Sequence, residues 1–81
     1  MSEEEIFAAV KEIAEEELDV DEGKITMDAN IKEDLDADSL DLFEIVNELE
    51  DKYDIDLDAD EDTKTVGDVV KLVKEAVDDK D

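Results

Sequence analysis

Apolar residues recur at intervals of three and four in three separate stretches of this 81-residue chain. This spacing is typical of amphipathic α-helices, because residues three or four apart lie on the same face of a helix. The pattern therefore predicts three helices that can share one apolar core. The repeated positions are Ile6, Val10 and Ile13; then Leu42, Ile45, Val46, Leu49 and Tyr53; then Val66, Val69, Val70, Val73, Ala76 and Val77.

Each predicted helix is preceded by a residue that can cap its first turn. A Ser-x-x-Glu capping pattern begins at Ser2, and we expect the first helix over about residues 3–17. Asp38 precedes the second helix, while Thr65, with Asp68 three positions later, precedes the third. These residues fix where the helices are expected to start.

A long connection between the first and second helices has no helical period. Residues 18–37 carry Ile25, Met27, Ile31 and Leu35 at irregular intervals, which predicts a loop pinned by apolar anchors. A structureless connection of this length is unusual in a small domain, so a short helical turn within it stays open.

The connection before the last helix is shorter. In residues 54–64, Ile55 and Leu57 alternate with acids, and residues 59–62 can form one helical turn. We therefore expect an all-α fold with a single domain over residues 1–81. Its predicted architecture is a small four-helix bundle of three main helices and one short helix, with the long loop between helices one and two.

Acidic residues greatly outnumber basic ones. The chain has 31 Asp and Glu against 8 Lys, a formal net charge of −23. Nucleic acid is excluded as a partner because its phosphates need a basic surface, and no apolar run approaches the roughly 20 residues that span a bilayer. Acidic disordered tails share this composition, but the helical periodicity favours a fold. We expect a cytoplasmic protein, because the N-terminal residues are acidic where a targeting peptide is basic. We also expect a monomer.

Catalysis and metal binding lack the residues that they usually need. The chain has no His and no Cys, so we expect no catalytic residue and no dedicated metal site. Asp19, Asp34 and Asp54 each begin an Asp-x-Asp pattern, but none of these windows has the Gly and Glu of an EF-hand loop. An acidic module that binds divalent cations weakly, or a simple interaction module, remains the alternative from a different class.

The predicted second helix carries an acidic face. Asp41, Glu44, Glu48 and Asp51 lie together, roughly opposite the apolar stripe. Leu40 lies beside this row and outside the stripe, so we expect an exposed apolar side chain among carboxylates. Such a surface suits docking on a basic patch of a partner protein.

Ser39 follows Asp38 in the first turn of the same helix. Unpaired backbone N–H groups and the positive end of the helix dipole favour an anion at this place. Ser39 has no base to activate it and is not the nucleophile of a catalytic triad. A chemical role for Ser39 is therefore that of a substrate hydroxyl, modified by another enzyme.

Several short segments around Ser39 and before the last helix form a recognisable set. They are Asp38-Ser39-Leu40-Asp41, the preceding Asp34-Leu35-Asp36-Ala37, the following Glu44-Ile45-Val46 and Leu49-Glu50, and Thr65-Val66-Gly67-Asp68. With these segments the chain resembles the acyl carrier protein family over nearly its whole length. It departs from the family pattern at Asp36, where Gly is common and where Asp can adopt left-handed geometry, and in residues 54–64, which are short and lack the usual Pro.

The resemblance implies a carrier and not an enzyme. It implies that Ser39, flanked by Asp38 and Leu40, holds phosphopantetheine, whose thiol carries acyl groups as thioesters. It also implies that the acidic face of the second helix docks on basic patches of a phosphopantetheinyl transferase and of fatty acid synthase enzymes. A freestanding chain of this size is similar to the discrete carrier of a dissociated fatty acid synthase. Carriers for polyketide, peptide or D-alanine transfer are the alternatives within the family.

Overall fold

A computed structural model describes residues 2–57 and 63–80 of the chain. These residues form three α-helices, α1 (Glu3–Leu18), α2 (Ser39–Tyr53) and α3 (Val66–Lys80), and one 3₁₀ turn at Glu22–Lys24. The β geometry found among them is an isolated bridge between Asn30 and Thr65. The predicted all-α class is confirmed.

The three helices start after the residues that were predicted to cap them. The Ser2 hydroxyl accepts a hydrogen bond of 3.2 Å from the Glu5 N–H, and Asp38 is the N-cap of α2. Thr65 Oγ1 accepts a hydrogen bond of 3.1 Å from the Asp68 N–H, and Asp68 Oδ2 accepts one of 3.1 Å from the Thr65 N–H. α1 ends at Leu18, one residue beyond the expected end.

The apolar stripes of the three helices meet in one core. α1 packs against both α2 and α3, which contact each other less. Burial of each large apolar side chain contributes about 1.5–3 kcal/mol relative to exposure, so these stripes supply most of the driving force for folding. The most deeply buried helical side chains are Ile6, Val10, Ile45, Leu49, Val66, Val69, Val70 and Val73.

The long loop between α1 and α2 is anchored to the core as predicted, with one exception. Ile25, Ile31 and Leu35 are each 2% exposed. The prediction that Met27 is a buried anchor is wrong, because its side chain is 38% exposed. Its backbone carbonyl holds the loop instead, by accepting a hydrogen bond of 2.8 Å from the Gly67 N–H.

The loop and the start of α3 are joined by main-chain hydrogen bonds, and we call residues 27–31 with residues 64–67 the loop–α3 junction. Gly67 fits this junction because a Cβ at its position would lie 2.9 Å from the Met27 carbonyl oxygen. The other bonds run from the Ile31 N–H to the Lys64 carbonyl, at 2.8 Å, and from the Val66 N–H to the Ala29 carbonyl, at 3.0 Å.

The sequence allows a short helical turn in the α1–α2 loop and predicts another at residues 59–62. The 3₁₀ turn at Glu22–Lys24 is the turn that the length of the α1–α2 loop left open. The short helix expected at residues 59–62 lies outside the described residues. Just before it, Ile55 is buried and Leu57 is half-buried against the core. No helix in the described ranges is long and apolar enough to cross a membrane.

Candidate functional site

α2 begins with a reciprocal capping box. The Asp41 N–H donates to Asp38 Oδ1 at 3.0 Å, and the Asp38 N–H donates to Asp41 Oδ2 at 3.3 Å. The box satisfies two of the four N–H groups that a helix start leaves without intrahelical partners. The other two belong to Ser39 and Leu40, and neither has an acceptor within residues 2–57 and 63–80.

Ser39 is the first helical residue of α2, and its side chain is exposed. Leu40 beside it is 72% exposed and Phe43 is 48% exposed, so the expected apolar side chain at the surface is confirmed. The free N–H groups of Ser39 and Leu40, together with the positive end of the α2 dipole, favour a negative charge at this corner. The site therefore combines a reachable hydroxyl, two unused donors and an apolar contact.

The acidic face of α2, comprising Asp41, Glu44, Glu48 and Asp51, is not uniformly accessible. Glu44, Glu48 and Asp51 are exposed. Asp41 is half-buried, because its carboxylate is turned back to accept the Asp38 N–H. Three of the four predicted acids thus form an open row, while Asp41 serves mainly to fix the start of the helix.

α1 adds a carboxylate to this surface that the sequence reasoning missed. Glu17 and the exposed acids of α2 line one shallow groove between the two helices. The pKa of Glu17 is raised above its ordinary value by a hydrogen bond with the Glu44 carboxylate, then by desolvation and by the charge of Glu48. A signal existed in the sequence, because Glu17 lies four residues after Ile13 and so continues the buried stripe of α1.

The three Asp-x-Asp windows have structural roles. Asp19 and Asp54 are the left-handed caps that follow α1 and α2. The Asp34 carboxylate accepts a hydrogen bond of 2.8 Å from the Asn30 N–H and so closes a turn in the loop. Within the part of the chain that the structure describes, no three acidic side chains are grouped so as to hold a metal ion.

Comparison with known proteins connects this site to one family. The family described as "Phosphopantetheine attachment site" matches residues 8–73. An acyl carrier protein of Streptococcus pneumoniae is 49% identical over 70 residues, covering 86% of this chain and 93% of the relative. An acyl carrier protein of Lactococcus lactis is 44% identical over 69 residues, covering 85% and 93%. One from Exiguobacterium sibiricum is 43% identical over 79 residues, covering 95% and 100%.

These matches extend over most of the chain and over nearly all of each relative, and they include the start of α2. The chain therefore belongs to the acyl carrier protein family. Its cofactor is phosphopantetheine, and the resemblance that the sequence suggested is confirmed. The corner at Ser39 suits that group, because attachment requires an accessible hydroxyl and the neighbouring N–H groups can offset a phosphodiester charge.

Proposed function

We propose that Ser39 carries the phosphopantetheine and that the chain shuttles acyl intermediates between enzymes of fatty acid biosynthesis. One observation carries the assignment of Ser39. The sequence contains two serines, and Ser39 is the one that lies within the matched residues 8–73. Ser2 lies outside this range, where its hydroxyl caps α1. The exposure of Ser39 at the start of α2 supports the same assignment.

The chemistry divides between this chain and the enzyme that modifies it. Transfer of phosphopantetheine forms a bond between Ser39 Oγ and a phosphorus atom of coenzyme A. It breaks the phosphoanhydride bond of coenzyme A, and an adenosine bisphosphate is released. The hydroxyl proton goes to a base of the transferase, because this chain has no His and no Cys. The attached group then supplies the thiol that holds acyl chains as thioesters. The chain itself acts as substrate and carrier and not as an enzyme.

Intact mass before and after treatment with a phosphopantetheinyl transferase and coenzyme A tests the attachment site. We expect one added phosphopantetheinyl unit on the native chain and on the Ser2→Ala variant. Ser39→Ala should gain no mass and accept no thioester, with its helix content nearly unchanged because the Ser39 side chain is exposed. A normal adduct on Ser39→Ala would overturn the assignment.

We also propose that partners dock on the acidic face of α2 through basic patches. The exposed row of Glu44, Glu48 and Asp51 runs along α2 from near Ser39, and Leu40 and Phe43 offer apolar contacts. Charge complementarity of this kind raises association rates and selects partners, while a buried apolar contact adds affinity. Asp38 and Leu40 are part of the same proposal, as the residues that flank Ser39.

Paired charge reversals test this surface. Glu44→Lys with Glu48→Lys should slow association with the transferase and with fatty acid synthase enzymes by about tenfold or more at low salt. The matched control, Glu75→Lys with Asp79→Lys, reverses two exposed acids on α3 and changes the net charge equally. Stopped-flow association rates should be affected far less by the control pair. Equal slowing by both pairs would mean that overall charge, and not this face, drives docking.

The fatty acid pathway is the part of the proposal that needs its own test. Relatives named acyl carrier protein support it, whereas carriers for polyketide, peptide or D-alanine transfer are the competing roles. We expect the modified chain to be loaded by fatty acid synthase enzymes and not by a peptide synthetase or a D-alanine ligase, with thioesters detected by mass. The proposal includes a monomer in the cytoplasm, which sedimentation and cell fractionation would check.

A further inference from the structure

Asp36 differs from the other residues with a positive φ. Asp19, Asp36 and Asp54 have φ of 53°, 56° and 55°. Asp19 and Asp54 end α1 and α2, where a left-handed residue is an ordinary way to stop a helix. Asp36 ends no assigned helix and lies two residues before Asp38, the cap of α2. It follows instead a turn of the loop, in which the Asp34 N–H donates to the Asn30 carbonyl at 2.7 Å.

The two neighbours of Asp36 impose this conformation. Leu35 and Ala37 are 2% and 5% exposed, so both side chains are fixed in the core. The Leu35 N–H donates to the Asn30 carbonyl at 3.2 Å, and the Ala37 N–H donates to the Ile31 carbonyl at 3.1 Å. Two such anchors restrict the φ and ψ angles of the residue between them. Backbone conformations of this kind persist only where the surroundings over-determine them.

The side chain of Asp36 does not account for its position. It is exposed, and its carboxylate has no hydrogen-bond partner among the residues that the structure describes. What this residue contributes is the direction of the main chain. Only Ala37 separates it from the capping box of Asp38, which in turn sets the orientation of Ser39.

We propose that Asp36 is a positioning residue for the modification of Ser39. Its left-handed backbone sets the direction in which the chain enters α2, and so where the Ser39 hydroxyl stands relative to the core. This inference rests on the proposed attachment to Ser39. It assigns the effect to the backbone conformation and not to the charge of the Asp36 carboxylate.

Four substitutions separate the effect of the Asp36 backbone conformation from the effect of its charge. Asp36→Gly and Asp36→Asn keep easy access to the left-handed region, and both remove the charge. Asp36→Ala disfavours this conformation, and the β-branched Asp36→Val disfavours it more strongly. The measurement is the rate of phosphopantetheine transfer to the unmodified chain, resolved into kcat and KM for the chain as substrate. Circular dichroism gives the folded fraction of each variant.

We expect kcat to fall about tenfold in Asp36→Val and less in Asp36→Ala, because displacing a reacting group by about 1 Å can cost about 100-fold in rate. Asp36→Gly and Asp36→Asn should retain kcat within about twofold, since proper geometry is kept. Partial unfolding alone lowers the concentration of usable substrate, which raises the apparent KM and leaves kcat unchanged. Separate values of kcat and KM therefore distinguish a displaced Ser39 hydroxyl from a loss of stability.

Asp19→Val is the matched control, because it places the same strain at the end of α1 and outside the segment that leads into α2. It should lower the melting temperature while leaving kcat unchanged. An unchanged kcat in both Asp36→Ala and Asp36→Val, each still folded, would overturn the inference, and if Asp36→Val does not fold then Asp36→Ala decides. Failure of the native chain to be modified, or modification elsewhere than Ser39, would instead overturn the proposed function.

Discussion

At the scale of single residues, hydrogen bonds of backbone N–H and carbonyl groups fix the starts of α2 and α3 and hold the loop–α3 junction. Asp38 and Asp41 close the start of α2, while Thr65 and Asp68 close the start of α3. Gly67 lies where the main chains of the loop and α3 approach most closely. We expect substitutions at these positions to lower stability, because a backbone group that is buried without its hydrogen-bond partner costs free energy.

Gly67→Ala should destabilise the protein even though Ala is the better helix former. Ala gains up to about 1 kcal/mol in an unrestricted helix, but here its Cβ would lie 2.9 Å from the Met27 carbonyl oxygen and force the loop–α3 junction apart. We expect a net loss of about 1 kcal/mol or more in the free energy of unfolding, measured in urea.

Gly23→Ala provides the comparison, because a Cβ at Gly23 meets nothing within 4 Å and its φ is not positive. It should be neutral or stabilise by about 0.5 kcal/mol through the unfolded state. If Gly67→Ala proved as stable as Gly23→Ala, the close approach at the junction would not restrict this position.

Asp68→Ala should lower stability by about 1 kcal/mol at neutral pH. The pKa of Asp68 is lowered from its ordinary value of 3.8 by hydrogen bonds from the Lys64 and Thr65 N–H groups. A lowered folded-state pKa means that the stabilisation is present above pH 3.8 and is lost as the pH falls through the folded pKa. The difference in melting temperature from the native chain should therefore shrink in acid. Asp79→Ala, an exposed acid on α3, should show no such loss at pH 7.

At the scale of elements, α1 and α2 differ in what they contribute to the surface. α2 presents Ser39 and the acidic face on one side and packs Ile45 and Leu49 into the core on the other. α1 packs against α2 and places Glu17 beside Glu44, so the acidic surface has contributions from two helices. This packing brings carboxylates together at a position where their repulsion opposes folding.

Glu17→Gln should raise the melting temperature at pH 7. The raised pKa of Glu17 means that its ionisation is less favourable in the folded protein, so stability falls as the pH rises through the folded pKa. Gln keeps the size and a hydrogen bond to Glu44 without the charge. The gain should disappear below pH 4.5, the ordinary value for Glu, where the native side chain is protonated in both states.

The control for this prediction is Glu16→Gln, an exposed neighbour on α1 with the same change in charge. Thermal melts of both variants at pH 7 and pH 4 make the comparison. An equal rise in both at pH 7 would attribute the effect to net charge alone, and not to the contact between Glu17 and Glu44.

At the scale of the whole molecule, a small core must hold together a net charge of −23. Self-repulsion opposes the compact state, and domains of this size have only about 5–15 kcal/mol of stability to begin with. At physiological salt the Debye length is about 8 Å, so neighbouring carboxylates still interact. The docking proposed on the acidic face of α2 makes use of the same negative charge.

Millimolar magnesium, or higher sodium chloride, should therefore raise the melting temperature. Screening that recovers about 1 kcal/mol would raise it by roughly 4–8 °C in a domain of this size. Sodium chloride at matched ionic strength separates general screening from divalent binding. A melting temperature that stays constant from low salt to millimolar magnesium would show that repulsion does not limit stability.

Several features were determined by the sequence alone, because their causes lie within a few residues of one another. Helical periodicity and caps such as Asp38 and Thr65 predicted the helix starts, and the position of Ser39 in the first turn of α2 followed directly. Asp36 also has the left-handed backbone geometry that an Asp can adopt. The exposure of Leu40 followed from its angle on the helix.

Other features were decided only by the tertiary structure. Asn30 and Thr65 pair across the loop–α3 junction although they lie far apart in sequence, and Glu17 meets Glu44 only because α1 packs on α2. Met27 contributes its backbone carbonyl to the junction, while its side chain is exposed. Local patterns carry no information about such contacts, since they depend on how separate elements pack and which backbone groups remain to be satisfied.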